Sequence, residues 1–226
     1  MPTAASADQI RSDFDAIARL MPEDRLGPHD AWLLKRLPAR RGTALEIGCG
    51  VGHLARRLAD KFDRVVAIDF SEGMIAEAKR RGSERAQIEY ACADMFEWLP
   101  RFRDRYDCIV TVGTLHHVDL TSALREMKRA LKPGGTLLVS DILDRSGWRF
   151  LLINGFAYVA ARVREVVVFR GMTPWKLRKA YRRHGETESY LRLDEVERVT
   201  RDELPDAGVR GHLLWRYTIV WKKPYD

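Results

Sequence analysis

The chain reads Leu45-Glu46-Ile47-Gly48-Cys49-Gly50-Val51-Gly52-His53-Leu54 where a short apolar run meets three alternating glycines and a helical stretch. This order is typical of a β-strand followed by a tight turn and an α-helix. Glycines let the backbone of the turn bend sharply and approach a ligand, and the following helix offers unpaired N–H groups in its first turn. The segment therefore predicts a nucleotide-type ligand at the end of this strand.

Asp69 lies twenty-one residues after Gly48, at the end of a second predicted strand, 64–69. A carboxylate in this position can accept hydrogen bonds from both hydroxyls of a ribose, and the spacing alone also fits a dinucleotide fold. Two residues separate these interpretations. His53 stands where the dinucleotide fingerprint has Gly or Ala, and Glu46 would repel a pyrophosphate but suits a ligand with a cationic amino-acid end. We therefore expect a nucleotide ligand that is not a dinucleotide.

Strand and helix patterns alternate along most of the chain. One broken helix or two short helices are predicted within 7–38, and Ser71 is expected to cap a later helix. Further helices are predicted at 53–62, 74–81, 120–131 and 193–204, and strands at 43–48, 64–69, 87–92, 106–112, 135–142, 208–214 and 215–222. The alternation implies βαβ crossovers and a mainly parallel sheet with helices on both faces, which is an α/β fold.

One segment departs from this alternation. Residues 145–185 contain ten Lys or Arg and one acidic residue, so this segment carries +9 while the rest of the chain carries −2. A localised basic patch indicates an acidic ligand or surface. We expect a single domain over 1–226, with an N-terminal helical cap over 1–40 and a basic helical lid inserted at 145–185.

Length and composition exclude several classes of protein. The chain has 226 residues, of which 46% are hydrophobic, and it lacks the run of about 18 apolar residues that a membrane-spanning helix needs. Its N-terminal stretch does not have the basic start and apolar core of a secretory signal. Cys49, Cys92 and Cys108 show no metal-type spacing, so we expect small buried hydrophobic side chains, no metal site and a reducing cytoplasm.

Four further motifs follow the glycine turn in order. They are Asp69-Phe-Ser71-x-x-Met74, Ala93-Asp94-Met95, Tyr106-Asp107 with Leu115-His116-His117, and Leu131-Lys-Pro-Gly-Gly135. Over residues 41–143 the set resembles the class I S-adenosylmethionine-dependent methyltransferases, particularly the small-molecule group that includes quinone-biosynthesis enzymes. The resemblance implies a Rossmann-like sheet of seven strands in the order 3-2-1-4-5-7-6 with the last strand antiparallel. It also implies S-adenosylmethionine as cofactor and S-adenosylhomocysteine as product.

The same resemblance implies a set of cofactor-binding residues. Gly48, Cys49 and Gly50 would line the methionine part, and Asp69 would hold the ribose. Phe70 and Met74 would pack on the adenine, while Asp94 and Met95 would meet the exocyclic amine edge of that base. The backbone of Val112 and Gly113 would contact the amino group of the methionine part. Glu46 suits that amino group by its charge. Asp94 taken alone fits a helix cap equally well.

Two histidines follow the fourth predicted strand, at the edge where α/β sheets place ligands. With an ordinary pKa of about 6.5, His117 or His116 can take a proton from a hydroxyl or amine nucleophile. We predict His117 as the first catalytic candidate and His116 as the second, with His184 as a further one. The alternative is that one of them caps a helix or positions a loop.

These features together predict methyl transfer from S-adenosylmethionine to an oxygen, nitrogen or carbon of a small-molecule acceptor that is lipophilic or acidic. Two alternatives stay open: a cofactor-binding protein of this fold without turnover, and a nucleic-acid methyltransferase that uses the basic segment. The second is disfavoured because no RNA-binding module or regular interleaved aromatics accompany the basic residues. Residues 148–170 predict a lid over the acceptor, or else a peripheral membrane contact. No particular oligomeric state is predicted.

Overall fold

A computed structural model describes residues 7–22, 28–144 and 190–225, together with the single helical positions Gly155, Trp175, Leu177 and Lys179. Apart from those four positions, the predicted basic lid at 145–185 lies outside the described residues. The same holds for His184 and for most of the predicted membrane contact at 148–170.

One sheet of seven strands organises the described part of the chain, in the order β3-β2-β1-β4-β5-β7-β6. The strands are β1 (Thr43–Ile47), β2 (Arg64–Asp69), β3 (Ile88–Cys92), β4 (Tyr106–Val112), β5 (Leu131–Ile142), β6 (Gly208–His212) and β7 (Arg216–Lys222). Strands β1 to β5 pair in parallel, whereas β7 is antiparallel to β5 and to β6. The predicted fold class, strand order and antiparallel edge are confirmed.

Helices cover both faces of the sheet. Within the described ranges they are α1 (Ala7–Ala18), α2 (Pro28–Leu34), α3 (His53–Ala59), α4 (Glu72–Arg81), α5 (Met95–Trp98), α6 (Leu120–Ala130) and α7 (Leu193–Glu203), with short 3-10 turns at Leu99–Arg101 and Leu115–His117. Ser71 caps α4, as predicted, because its Oγ accepts the N–H of Met74 at 3.0 Å. None of these helices is long and apolar enough to cross a bilayer.

Alternate residues of the strands enter two separate hydrophobic clusters. Leu45 and Ile109 face the cluster that contains α5, α6 and α7, whereas Ala44 and Val110 face the cluster that contains α2, α3 and α4. Because both faces are buried, the central strands are mainly apolar instead of alternating with polar residues, and Glu46 on β1 and Asp107 on β4 are buried exceptions. This packing holds the carboxyl ends of the parallel strands at one edge of the sheet.

Several details differ from the sequence prediction, among them the end of α3 at Ala59 instead of residue 62 and the presence of α5, which was not predicted. Strand β5 begins at Leu131 instead of residue 135, because Leu131 already pairs with Tyr106 before the register shifts. The last two strands are separated by three residues, 213–215. Cys92 is exposed, although a buried position was expected, because it is the last residue of the edge strand β3, beyond the buried Tyr90 on the same face.

Candidate active site

The glycine turn after β1 adopts a backbone conformation that disfavours other residues. Gly48, Gly50 and Gly52 have φ values of +71°, +51° and +75°. A Cβ on Gly48 would overlap the side chain of Thr114, and a Cβ on Gly52 would lie 2.8 Å from the hydroxyl of Tyr90. Glycine is therefore required at both positions for space as well as for conformation.

The N–H groups at the start of this turn are used inside the protein. Those of Gly48 and Cys49 donate to the carbonyl of Ile68 at 2.9 and 3.0 Å, and that of Gly50 donates to Oδ2 of Asp69 at 2.8 Å. A pyrophosphate site requires such N–H groups to face the ligand. The bonding of the turn thus supports the prediction that the ligand is not a dinucleotide.

Asp69 presents a buried, oriented carboxylate at the end of β2. The residue is 8% exposed, and Oδ1 accepts the N–H of Ser71 at 3.0 Å while Oδ2 accepts that of Gly50. Burial raises the pKa of Asp69, and these two N–H groups oppose the rise without cancelling it. Each carboxylate oxygen has a second acceptor position, so both can receive a ribose hydroxyl.

A second buried carboxylate lies beneath the turn. Glu46 is 3% exposed in the middle of the sheet, opposite Ala67 on β2 and Val110 on β4. Burial, then the charge of Asp69, then that of Glu46 raise the pKa of the Cys49 thiol. The floor of the site is therefore electronegative, which suits a ligand with ammonium or sulfonium charge.

Helix α1 covers the residues predicted to contact adenine. Met74 is 3% exposed in a small cluster whose members are Ile17, Ala18, Val51, Met74 and Leu177. Phe70 meets the ring of Phe14 edge-on, with ring centroids 5.8 Å apart. The apolar surface expected beside an adenine is thus present, and α1 forms its outer wall.

Asp94 and Met95 lie next to this surface. The N–H of Ala93 donates to the carbonyl of Asp69, which holds the start of α5 beside the end of β2. Asp94 is exposed and caps α5, because its Oδ1 accepts the N–H of Phe96 at 2.7 Å. The side chain of Met95 belongs to the hydrophobic core, so only its backbone can meet a ligand.

The end of β4 faces the glycine turn. Gly113 has a φ of +64°, and its N–H donates to the carbonyl of Ser140 at 2.8 Å. The Oγ1 of Thr114 lies 3.4 Å from the carbonyl of Ile47 and 3.3 Å from that of Val112, which joins the two strand ends. An amino group needs acceptors, and the predicted backbone acceptors, Val112 and Gly113, are at this strand end.

Asp141 was not predicted from the sequence, yet it organises the loop that follows β4. It is fully buried near the end of β5, and its Oδ1 lies 2.7 Å from Nδ1 of His116. Its Oδ2 accepts the N–H groups of Thr114 and Leu115 at 3.1 and 2.5 Å. Burial acts to raise the pKa of Asp141, but the bond and charge of His116 and the N–H of Ile142 hold it below its ordinary value. The sequence did contain a signal that could have identified Asp141: it is an aspartate at the end of a predicted strand, as Asp69 is.

The two histidines have different surroundings. The ring of His116 lies toward β5 and Asp141, with the ring of Tyr190 5.2 Å away. The ring of His117 lies 3.9 Å from that of His116 and meets Phe14 edge-on at 5.6 Å. A charge on His117 lowers the pKa of Asp69, so this histidine lies on the side of the site that contains Asp69. Both predicted histidines are at the edge of the sheet that holds Asp69 and the glycine turn.

Comparisons with known proteins agree with this arrangement. Residues 45–139 match the family described as "Methyltransferase domain". An uncharacterized methyltransferase of Mycobacterium tuberculosis is 30% identical over 201 residues, which cover 87% of this chain and 94% of the relative. The ubiquinone biosynthesis O-methyltransferase of Marinobacter nauticus is 32% identical over 158 residues, 68% of this chain and 63% of that protein.

A solved structure shows the same fold. It is a phosphoethanolamine N-methyltransferase of Haemonchus contortus in complex with phosphomonomethylethanolamine and S-adenosylhomocysteine. Its TM-score is 0.65 at 18% identity, covering 96% of this chain and 58% of that chain. With the glycine turn, the buried carboxylate after β2 and the strand order, these matches show that the chain belongs to the class I S-adenosylmethionine-dependent methyltransferases.

Proposed function

We propose that this methyltransferase acts on an oxygen, nitrogen or carbon nucleophile of a small molecule. The observation that carries the proposal is the hydrogen-bonded pair of His116 and Asp141 at the edge of the sheet that also holds Asp69 and Gly48. The part of this edge around Asp69 and Gly48 can hold a nucleoside, and the second part, around His116, can accept a proton. A protein that only binds the cofactor has no need for the second part.

The cofactor site uses the chain's own acceptors and apolar surfaces. Asp69 would hold the ribose, and Glu46 with the carbonyl of Gly113 would attract the amino group. The other residues that would line the cofactor are Gly48, Cys49, Gly50, Phe70, Met74, Asp94, Met95 and Val112. Both carboxylates are buried, so their interaction with a cationic ligand is weakly screened by solvent.

S-adenosylmethionine supplies a methyl group activated by sulfonium: the nucleophile forms a bond to that carbon as the carbon–sulfur bond breaks, and the electron pair stays on sulfur. The protein must hold the acceptor in line and exclude water. Such positioning can lower a barrier by about 7–11 kcal/mol, whereas a general base contributes about 10²–10⁴-fold in rate. We therefore assign most of the catalysis to positioning.

His116 is the better placed of the two candidate bases. Nδ1 of His116 lies 2.7 Å from Oδ1 of Asp141, so the Nδ1–H tautomer donates to this carboxylate and leaves Nε2 to take a proton from the acceptor. The imidazolium formed in this way would be stabilised by Asp141. His117 packs beside Phe14 on the side that contains Asp69, and we propose that it positions the cofactor end of the site.

The covering of the site favours a small acceptor over a nucleic acid. Oδ1 of Asp15 on α1 accepts the hydroxyl of Ser71 at 2.5 Å and the N–H of Gly73 at 2.9 Å, which fixes α1 over the start of α4. Leu177, in the predicted lid, is buried in the cluster under α1. An enclosed site of this kind suits a small molecule better than a base within a polymer.

We also propose a reducing compartment, namely the cytoplasm. Cys49, Cys92 and Cys108 are all free thiols. Burial, opposed in part by the charge of Arg41, raises the pKa of Cys108 to about 12, so this thiol stays protonated and unreactive. Free thiols are the normal state of cysteine in the cytoplasm.

A labelling experiment tests the function. The purified protein is incubated with S-adenosylmethionine carrying a tritiated methyl group and with a mixture of cellular metabolites, and S-adenosylhomocysteine and labelled products are measured. We expect S-adenosylhomocysteine to accumulate only when an acceptor is present. His116→Ala should lower kcat by about 10²–10⁴-fold with little change in cofactor affinity. A wild-type protein that binds the cofactor but forms no S-adenosylhomocysteine with any acceptor would support the alternative without turnover.

A further inference from the structure

The first residue of β7 reaches the edge of the sheet where methyl transfer is proposed. Because β7 is antiparallel to β5, Arg216 lies opposite Ile142, one residue beyond Asp141. Nη1 of Arg216 lies 3.9 Å from the position that a Cβ would occupy on Gly113. Its guanidinium group is therefore beside the end of β4, immediately before the loop that carries His116.

Alternation along β7 shows which face of the sheet Arg216 occupies. Tyr217 and Ile219 are buried in the core under α6 and α7, so Arg216 and Thr218 lie on the opposite face. Arg216 is itself partly buried. A guanidinium in such a position is weakly hydrated and interacts strongly with carboxylate or phosphate.

The neighbourhood of Arg216 is electropositive. His212 lies opposite Arg216 in the hairpin and meets the ring of Trp32 edge-on at 6.2 Å. The guanidinium of Arg36 lies 4.0 Å from the centre of that ring. Burial, and then the charges of Arg210 and Arg36, lower the pKa of His212. Arg36, two residues after α2, and Arg210 and Arg216 of the hairpin thus place cationic groups around this end of β7, and such a region attracts anions.

The hairpin also provides an apolar surface. Leu214 and Trp215 have φ values of +63° and +56°, which bulky residues rarely adopt. The carbonyl of Trp215 accepts the N–H of Leu143 at 2.8 Å, which ties the tip to the end of β5, and Leu213 is 57% exposed. Positive φ values are characteristic of tight hairpin turns, so this conformation defines the path of the tip.

We propose that Arg216 binds an anionic group of the methyl acceptor, a carboxylate or a phosphate, while the hairpin tip 213–215 contacts an apolar part of the same molecule. This inference rests on the proposed function and deepens it, because it makes the acceptor an acidic small molecule. Arg216 is then a determinant of substrate specificity. Its planar group can form two parallel hydrogen bonds to either anion.

The test separates acceptors by charge before the reaction. A metabolite extract is divided on an anion exchanger at pH 7 into a retained fraction and an unretained fraction, and each is incubated with the protein and tritiated S-adenosylmethionine. Arg216→Gln is compared with Lys222→Gln. The control removes a charge from the same face of β7, but at the other end of that strand, away from the proposed site. Arg216→Lys keeps the charge without the planar group and also serves as the test if Arg216→Gln does not fold.

We expect the label to enter acceptors of the retained fraction. Arg216→Gln should lower the rate at limiting acceptor by about 10- to 100-fold, Arg216→Lys by less, and Lys222→Gln by less than twofold. Calorimetry should show that S-adenosylmethionine affinity changes by less than threefold in Arg216→Gln.

Three results would overturn the inference while leaving the proposed function intact. They are label in the unretained fraction alone, equal rates for wild type and Arg216→Gln, or a tenfold loss of cofactor affinity in Arg216→Gln, which would assign the guanidinium to the cofactor's own carboxylate. Absence of label from both fractions would contradict the proposed function, and the inference with it.

Discussion

Nδ1 of His116 lies 2.7 Å from Oδ1 of Asp141, and the other oxygen of that carboxylate accepts N–H groups from the loop that carries His116. One buried side chain on β5 therefore fixes both the ring and the backbone of a residue that follows β4. This arrangement joins two adjacent strand ends, and we propose that it leaves Nε2 of His116 available to the acceptor.

Replacement of Asp141 should affect catalysis and stability together. Asp141→Asn leaves buried N–H groups without a full set of acceptors, so we expect the free energy of unfolding in urea to fall by about 1–3 kcal/mol. We also expect kcat to fall by about 10²-fold or more. His116→Ala/Asp141→Asn should be no slower than His116→Ala, because both residues act through one proton transfer. Independent, multiplying losses of kcat would contradict this role for Asp141.

The glycine turn allows a matched comparison. Gly48→Ala combines a positive φ with overlap on Thr114, whereas Gly50→Ala has a similar φ but meets only Sδ of Met74 at 3.9 Å. We expect Gly50→Ala to lose about 1–2 kcal/mol of stability and Gly48→Ala to lose more. Chemical denaturation measures both values, and Thr114→Ala should partly rescue Gly48→Ala. Equal losses for the two glycine variants would show that the contact with Thr114 is unimportant.

Helix α1 should be released by loss of its acceptor. Asp15→Ala removes the group that receives the hydroxyl of Ser71 and the N–H of Gly73. We expect faster hydrogen exchange in residues 7–18 and weaker binding of S-adenosylhomocysteine, because α1 forms the outer wall beside Phe70. Asp15→Asn keeps an acceptor oxygen and is the control. Unchanged exchange in Asp15→Ala would mean that other contacts hold α1 in place.

A surface carboxylate gives a pH-dependent prediction. A hydrogen bond from Arg80 lowers the pKa of Glu77, and burial acts in the opposite direction. With a further hydrogen bond from Arg81, the pKa falls to about 2. A carboxyl group whose pKa is lowered on folding stabilises the fold at pH values above its ordinary pKa, about 4.5. This contribution disappears as the pH falls toward 2. Glu77→Gln should therefore be less stable than wild type at pH 7, with a difference that narrows below pH 4.5. Glu84→Gln, at an exposed position, is the control, and a difference that stays constant with pH would contradict the assignment.

The features predicted correctly from the sequence are local ones. The glycine turn, the strand end at Asp69 and the cap at Ser71 are each formed within a few residues, so spacing and residue type are sufficient to identify them. The strand order was implied by the resemblance to a known family and is confirmed by the pairing. Asp94 shows the limit of this approach, because its capping role and its predicted cofactor role involve the same side chain.

The features that were missed depend on distant contacts. Asp141 is 25 residues from His116 in the chain, and Asp15 is 56 residues from Ser71. No periodic pattern reports such pairs before the strands and helices are packed. The exposure of Cys92 likewise follows from its position as the last residue of the edge strand β3, which the composition of that strand does not reveal.

Calorimetric titration with S-adenosylmethionine and S-adenosylhomocysteine tests the central claim most directly. The wild-type protein should bind both with micromolar affinity. Asp69→Ala should abolish measurable binding while keeping the fold, because it removes the oriented carboxylate that we propose binds the ribose. Asp63→Ala, on the loop before β2, should bind like wild type. No binding to folded wild-type protein, or unchanged binding to Asp69→Ala, would contradict the account of this site.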